Sequence, residues 1–206
     1  MKKEVYRVIF FIYNVAVKLR RLRELENRKG SLKEKSIVFI GFMGVGKTTI
    51  GKLVAKKLYR DFIDIDEEIE KEFKMPVSQI FNEIGEKAFR QKEKEMIIEQ
   101  CRQKLHIISV GGGAFLQEEI RQECLSSCIV FFLDLSWESW KERISMIIDS
   151  RPVLQGKTIE EIEELFYKRQ EVYSAHHSKI STDNHEIEEV ADYIVTSLKL
   201  AWELYG

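Results

Sequence analysis

The chain has 206 residues, 44% of them hydrophobic and 33% charged, with two prolines and a formal net charge of -1 at pH 7. That is enough chain to bury the core of one domain plus an appendage; the composition excludes a disordered protein, and the near-neutral balance excludes nucleic-acid binding by the chain as a whole. Cys101, Cys124 and Cys128 are odd in number and form no CxxC pair, which argues against a disulfide framework or a thiolate metal site and leaves free thiols.

The net charge hides an asymmetry. Residues 1–35 hold eleven lysines and arginines against four acids, about +7, and the rest of the chain carries about -8. Val5 to Val17 is apolar, but Arg7 and Asn14 interrupt it, and it is shorter than the roughly 18 residues of a membrane span. It is followed by Lys18-Leu19-Arg20-Arg21-Leu22-Arg23 and not by a small-residue cleavage site, so it does not read as a signal peptide. Val8, Ile12, Val15, Leu19 and Leu22 are spaced 4-3-4-3, which predicts a helix with one apolar face. Such a face packs on the protein body, pairs with a copy of itself, or lies in a membrane interface through its basic end; packing or self-association ranks first. Asn27 to Ser31 reads as a break. Residues 1–35 are therefore a basic amphipathic extension, and 36–206 the folded domain.

Ser36 to Ile40 is a short β-branched run, a buried strand that stops at Gly41-Phe42-Met43-Gly44-Val45-Gly46-Lys47-Thr48-Thr49. The eight-residue signature G-x-x-x-x-G-K-[ST] is complete. Glycines at 41, 44 and 46 let backbone amides approach phosphate oxygens. Lys47 is placed for the β- and γ-phosphates, and the Thr48 hydroxyl for Mg²⁺. Gly44, Val45, Gly46, Lys47, Thr48 and Thr49 are thus the nucleotide-binding candidates, and a helix from Lys47 to about Leu58 directs its positive end at the triphosphate. The chain binds ATP or a similar nucleoside triphosphate, which together with free thiols points to the cytoplasm.

Phe62, Ile63 and Ile65 predict a short strand, and the acids after Asp64 fit the first turn of a helix. Asp66 reads either as a helix cap or as a functional carboxylate, because ligands of an open parallel sheet bind beyond the carboxyl ends of its strands. There one carboxylate can hold Mg²⁺ through water, and a second can orient an acceptor hydroxyl. Pro76 to Gly85 is a short helical segment and Glu86 to about Leu105 a longer one. His106 to Val110 is a strand ending in Gly111-Gly112-Gly113, where a ligand or another backbone comes close. Gln117 to Leu125 is helix, Cys128 to Leu133 a buried strand, and Ser136 to about Ile147 a helix with a Ser cap. Asp149 to Lys157 is turn-rich and suits a mobile flap. A helix from Glu160 to about His176 carries Arg169; His176-His177 reads as its polar end, a polar Ser178–Asp183 segment follows, and Glu186 to Leu204 is the last helix. Strands alternating with helices predict an α/β fold with a central parallel sheet between two helical layers.

Five blocks in this order resemble shikimate kinases, small P-loop proteins of the nucleoside-monophosphate-kinase type. They are the loop Gly41–Thr49, Phe62-x-Asp64-x-Asp66-x-x-Ile69-Glu70, Gly85-Glu86-x-x-Phe89-Arg90, Gly111-Gly112-Gly113, and Arg151-Pro152-x-Leu154 with Arg169-x-x-x-Tyr173. The first block alone says only that a phosphate loop is present; the other four are specific. The resemblance implies transfer of the γ-phosphoryl of ATP to the 3-hydroxyl of shikimate. It implies that Asp66 binds and orients or deprotonates that hydroxyl, that Asp64 supports Mg²⁺, and that Arg90 and Arg169 clamp the substrate carboxylate, a task suited to a planar, permanently charged guanidinium. By the same resemblance Gly112 and Gly113 give backbone contacts to substrate, Arg151 neutralises charge from the lid, and Arg143 is a weaker candidate on the adenine or phosphate side. Catalysis of this kind is positioning and charge stabilisation under a closing lid.

Two features depart from the family pattern. The extension inherits no role from it, and Ser145-Met146-Ile147-Ile148-Asp149 is more apolar than expected before the Arg-Pro motif. The rival readings are a gluconate or nucleotide kinase of the same fold, and a non-catalytic ATP-binding module. Arg90 and Arg169 argue for an anionic acceptor and the paired aspartates for a polyol hydroxyl; a nucleotide kinase would want a base pocket that the sequence does not show, and the filled catalytic positions argue against the non-catalytic module.

Overall fold

The computed structural model describes residues 31–144 and 152–205. The expected helix over 8–22, the apolar 145–149 stretch and Arg151 lie outside the described residues.

Five short strands, β1 (Ile37–Ile40), β2 (Asp61–Asp64), β3 (His106–Ser109), β4 (Ile129–Asp134) and β5 (Ser178–Ser181), form one sheet in the order β2-β3-β1-β4-β5. Every pairing is parallel, with Val38 of the central strand beside Ile108 on one side and Val130 on the other. β1 is apolar at all four positions because both faces of the sheet are covered, the condition a parallel sheet imposes on its middle strand. Truncating one of these side chains, such as Ile37, to alanine costs about 2–5 kcal/mol.

The helices are α1 (Lys47–Leu58), α2 (Ile65–Phe73), α3 (Val77–Glu83), α4 (Glu86–Arg102), α5 (Glu118–Ser127), α6 (Trp137–Lys141), α7 (Ile159–Tyr173) and α8 (Ile187–Tyr205). α1 packs on α8 and α4 on α5, giving the sheet its helical cover. Thr158 and Glu161 close a reciprocal capping box at the start of α7, fixing the helix that carries Arg169.

Four expectations change. Ile65 does not extend β2; it opens α2, because the Asp64 carboxylate accepts the Asp66 and Glu67 amides and starts a helix there. The polar Ser178–Asp183 segment contains a strand, β5, in which only Ser178 and Ile180 face inward. The helix after Ser136 keeps its cap, the Ser139 amide donating to the Ser136 hydroxyl, but α6 ends at Lys141. His177 is not a polar helix end: it is buried beside β4, its Nδ1 accepting the Val130 amide at 2.9 Å.

Residues 31–35 are attached to the domain. Leu32 is buried in a 3-10 turn, and the Arg60 guanidinium donates to the Lys33 and Lys35 carbonyls. Lys35 also bridges to Lys104 in antiparallel fashion.

Candidate active site

The site lies beyond the carboxyl ends of β1, β2 and β3, as a parallel sheet dictates. β1 runs into the phosphate loop, where Gly41, Gly44 and Gly46 hold φ of 145°, 78° and 97°. These values belong to glycine, and they fold the loop over the start of α1. The Lys47 ammonium is buried in that loop and donates to the Gly41 and Phe42 carbonyls, each at 2.9 Å. α1 begins at Lys47 with no side-chain cap, so its first amides face the loop.

Thr48 and Asp64 come together across the ends of α1 and β2. The Thr48 hydroxyl donates to Asp64 Oδ2 at 2.6 Å, while Asp64 Oδ1 accepts the Asp66 amide at 3.1 Å and the Glu67 amide at 3.4 Å. The helix cap is therefore Asp64, which frees the Asp66 side chain from that duty. A hydroxyl and a carboxylate side by side are hard oxygen donors that fit Mg²⁺, which keeps waters and phosphate oxygens for its other positions. No cluster of three or more His, Cys, Asp or Glu side chains able to hold a metal occurs among the described residues.

A second pocket adjoins the loop, lined by Met43, Asp66, Arg90, Glu93, Gly111–Gly113 and Arg169 among others. The triple glycine is required by close approach. A Cβ on Gly111 would stand 2.9 Å from Asp66 Oδ1 and from Glu93 Oε1, one on Gly112 3.1 Å from the Met43 amide, and one on Gly113 2.7 Å from Arg90 Nη2. The bare backbone thus lies against the acids at Gly111 and against the arginines at Gly112 and Gly113.

The two arginines differ. Arg90 reaches the pocket from α4 and is tied down, donating from Nη1 to Glu93 Oε2 at 2.8 Å and from Nε to Glu86 Oε1 at 3.2 Å. Burial pulls its pKa down, but the two glutamates outweigh this and leave it raised. Arg169 is buried on α7, and its Nε and Nη1 have no hydrogen-bond partner. Burial lowers its pKa, with Arg90 adding to the fall. A buried guanidinium with two unmet donors beside a second cation is a built receptor for a carboxylate or phosphate.

Glu93, not singled out in the sequence, is also part of the pocket. It is fully buried, accepts from Gln117 Nε2 at 3.1 Å as well as from Arg90, and leaves Oε1 unpartnered. Burial pushes its pKa up to about 7 against the pull of Arg90, and the nearby Asp66 charge pushes the same way. Tyr173 closes the far side, its hydroxyl donating to the Gly112 carbonyl. Arg143 sits just past α6, its amide bonded to the Trp140 carbonyl. Thus Lys47, Thr48 and Asp64 form one group, and Asp66, Arg90, Gly112, Gly113 and Arg169 a second beside it.

Comparison with known proteins points to one family. The family model for shikimate kinase matches residues 43–199. A shikimate kinase of Oceanobacillus iheyensis is 64% identical over 177 residues, covering 86% of this chain and 97% of the relative. One of Bacillus subtilis is 58% identical over 175 residues, or 84% and 94% of the two chains. Among solved structures, a shikimate kinase from Acinetobacter baumannii in complex with shikimate superposes with a TM-score of 0.76 at 31% identity, covering 83% of this chain and 96% of that one.

Proposed function

The chain belongs to the shikimate kinase family, and from that premise we propose how its own residues divide the work. The reaction is transfer of the γ-phosphoryl of ATP to the 3-hydroxyl of shikimate, with Mg²⁺. The observation that supports the residue assignment best is Arg169, buried with two unpartnered donors in a pocket that adjoins the phosphate loop.

In this reading Arg169 and Arg90 grip the shikimate carboxylate, and the Gly112 and Gly113 backbone lets the ring lie close. Asp66, which lines the same pocket, accepts a hydrogen bond from the 3-hydroxyl, orients its oxygen at the γ-phosphorus and receives its proton as the bond forms. Gly44, Val45, Gly46 and Thr49 contribute loop and helix amides to the phosphates. Lys47, whose ammonium has three donors, turns to phosphate oxygens while keeping the Phe42 carbonyl, and follows the charge that develops on them. Thr48 and Asp64 would hold Mg²⁺, which neutralises phosphate charge when bound. Arg151 supplies a further positive charge from the lid, and closure excludes water as a competing acceptor.

ADP release by the full chain with Mg-ATP tests the assignment, with shikimate, gluconate or AMP as acceptor. Stimulation by shikimate alone is the expected result; equal stimulation by gluconate would mean that the arginine pair does not single out shikimate among carboxylated polyols, and equal stimulation by AMP would break the link to a carboxylated polyol altogether. No helix among the described residues is long and apolar enough to cross a membrane. With Cys101, Cys124 and Cys128 as free thiols and ATP as substrate, we place the enzyme in the cytoplasm. The 4-3-4-3 stripe of the extension supports self-association, checked by light scattering of the full chain against one lacking residues 1–30; the same number of subunits in both would remove it.

A further inference from the structure

One residue of the phosphate loop belongs to both halves of the site. The Phe42 carbonyl accepts the Lys47 ammonium at 2.9 Å, which ties its backbone to the nucleotide side. Its ring lies beneath the Arg169 guanidinium, 5.4 Å from Cζ to centroid, on the acceptor side. Phe42 is fully buried. Its ring meets Trp140 of α6 and Phe166 of α7 edge-on, both at 5.0 Å, and Phe166 is one turn before Arg169. The next residue is pinned too: Met43 accepts the Trp140 indole N–H at 2.6 Å, and its amide faces Gly112. The phosphate signature leaves position 42 open to any residue, so a need to approach phosphate does not account for a buried aromatic ring there.

We propose that Phe42 is a positioning residue that sets the Arg169 guanidinium for its ligand and links acceptor binding to nucleotide binding. The argument rests on the reading of Arg169 as the carboxylate clamp. With two donors of Arg169 unpartnered, the Phe42 face is what holds the guanidinium plane from below, and a cation over a desolvated ring is held with useful strength. Whichever ligand binds first fixes the Phe42–Met43 segment that the other site uses, so each strengthens the other by the same factor.

The test is calorimetric titration of the full chain with shikimate, alone and with Mg-ADP present, for wild type, Phe42→Leu, Arg169→Lys and the double variant. Phe42→Leu is expected to weaken shikimate binding roughly three- to tenfold, to leave Mg-ADP binding alone within about twofold, and to shrink the mutual strengthening. In the Arg169→Lys background the same change is expected to cost little, since the two act as a unit. Phe42→Met, of nearly the same volume as leucine but longer and unbranched, moves in the same direction, and thermal melts of each variant separate loss of fold from loss of position. Unchanged shikimate affinity in Phe42→Leu beside a crippled Arg169→Lys overturns the proposal and leaves the clamp standing. An Arg169→Lys variant that binds shikimate normally overturns the clamp itself. Equal weakening of both ligands by Phe42→Leu, or no linkage between them in wild type, overturns the bridging role.

Discussion

The proposed role of Arg169 means that it is placed for its ligand at the expense of the fold, and that can be measured. Replacing it with methionine keeps most of the packed volume, whereas alanine would add a cavity worth several kcal/mol. In the folded chain two of its donors, Nε and Nη1, are buried without partners, and each such donor costs about 1–3 kcal/mol. Against this stands the Phe42 ring at 5.4 Å, worth about 0.5–2 kcal/mol. The balance favours methionine by roughly 2–3 kcal/mol, or about 4–12 °C in melting temperature for a chain of this size. Shikimate at a hundred times its dissociation constant should stabilise the wild type by about 2.7 kcal/mol and Arg169→Met hardly at all. Thermal melts with and without shikimate give both quantities. If Arg169→Met melts below wild type in the absence of ligand, the guanidinium supports the fold, and the account of a receptor held open by strain fails.

Glu93→Gln should flatten the pH dependence of stability. With a folded pKa of about 7 against an ordinary value of 4.5, the native chain holds a proton that the unfolded chain has lost; the resulting stability is full below about 4.5 and is lost as pH rises through 7. Each unit is worth about 1.4 kcal/mol, so melts of wild type between pH 4.5 and 8 should decline by up to roughly 3 kcal/mol more than those of Glu93→Gln; parallel curves would refute the shift. Gly113→Ala places a Cβ 2.7 Å from Arg90 Nη2 and should raise KM for shikimate about tenfold while sparing that for ATP. Steady-state kinetics that show both constants rising together would mean general loop damage. Removing residues 1–30 should leave kcat within about twofold. Removing 1–35 should destabilise by about 2–4 kcal/mol, because it deletes buried Leu32 and the carbonyls bound by Arg60. Denaturation showing equal stability for the two truncations would place the domain start at residue 36.

What the sequence made legible follows from what each residue needs from its neighbours in the chain. The phosphate loop, α1 and the buried strands rest on local requirements: glycine where φ is positive, and β-branched runs where both faces of a sheet are covered. β5 escaped notice because an edge strand needs only one apolar face, and in Ser178-Lys179-Ile180-Ser181 that face shows a single large apolar residue. His177 depends on a partner 47 positions away, the Val130 amide, which nothing local announces. Glu93 is the instructive case. It sits in Lys92-Glu93-Lys94-Glu95, which reads as a solvated face, yet Phe89, Glu93, Ile97 and Cys101 recur every fourth residue and are all buried. An acid inside the apolar stripe of a helix contradicts its own pattern, and such contradictions collect where function overrides packing. The same logic identifies Arg169 on α7, buried among Ile162, Phe166 and Tyr173. An acid and a base, each out of place on its own helix, meet at one glycine loop, and in the function proposed for them the charge that the core would have rejected becomes the surface that a small anion recognises.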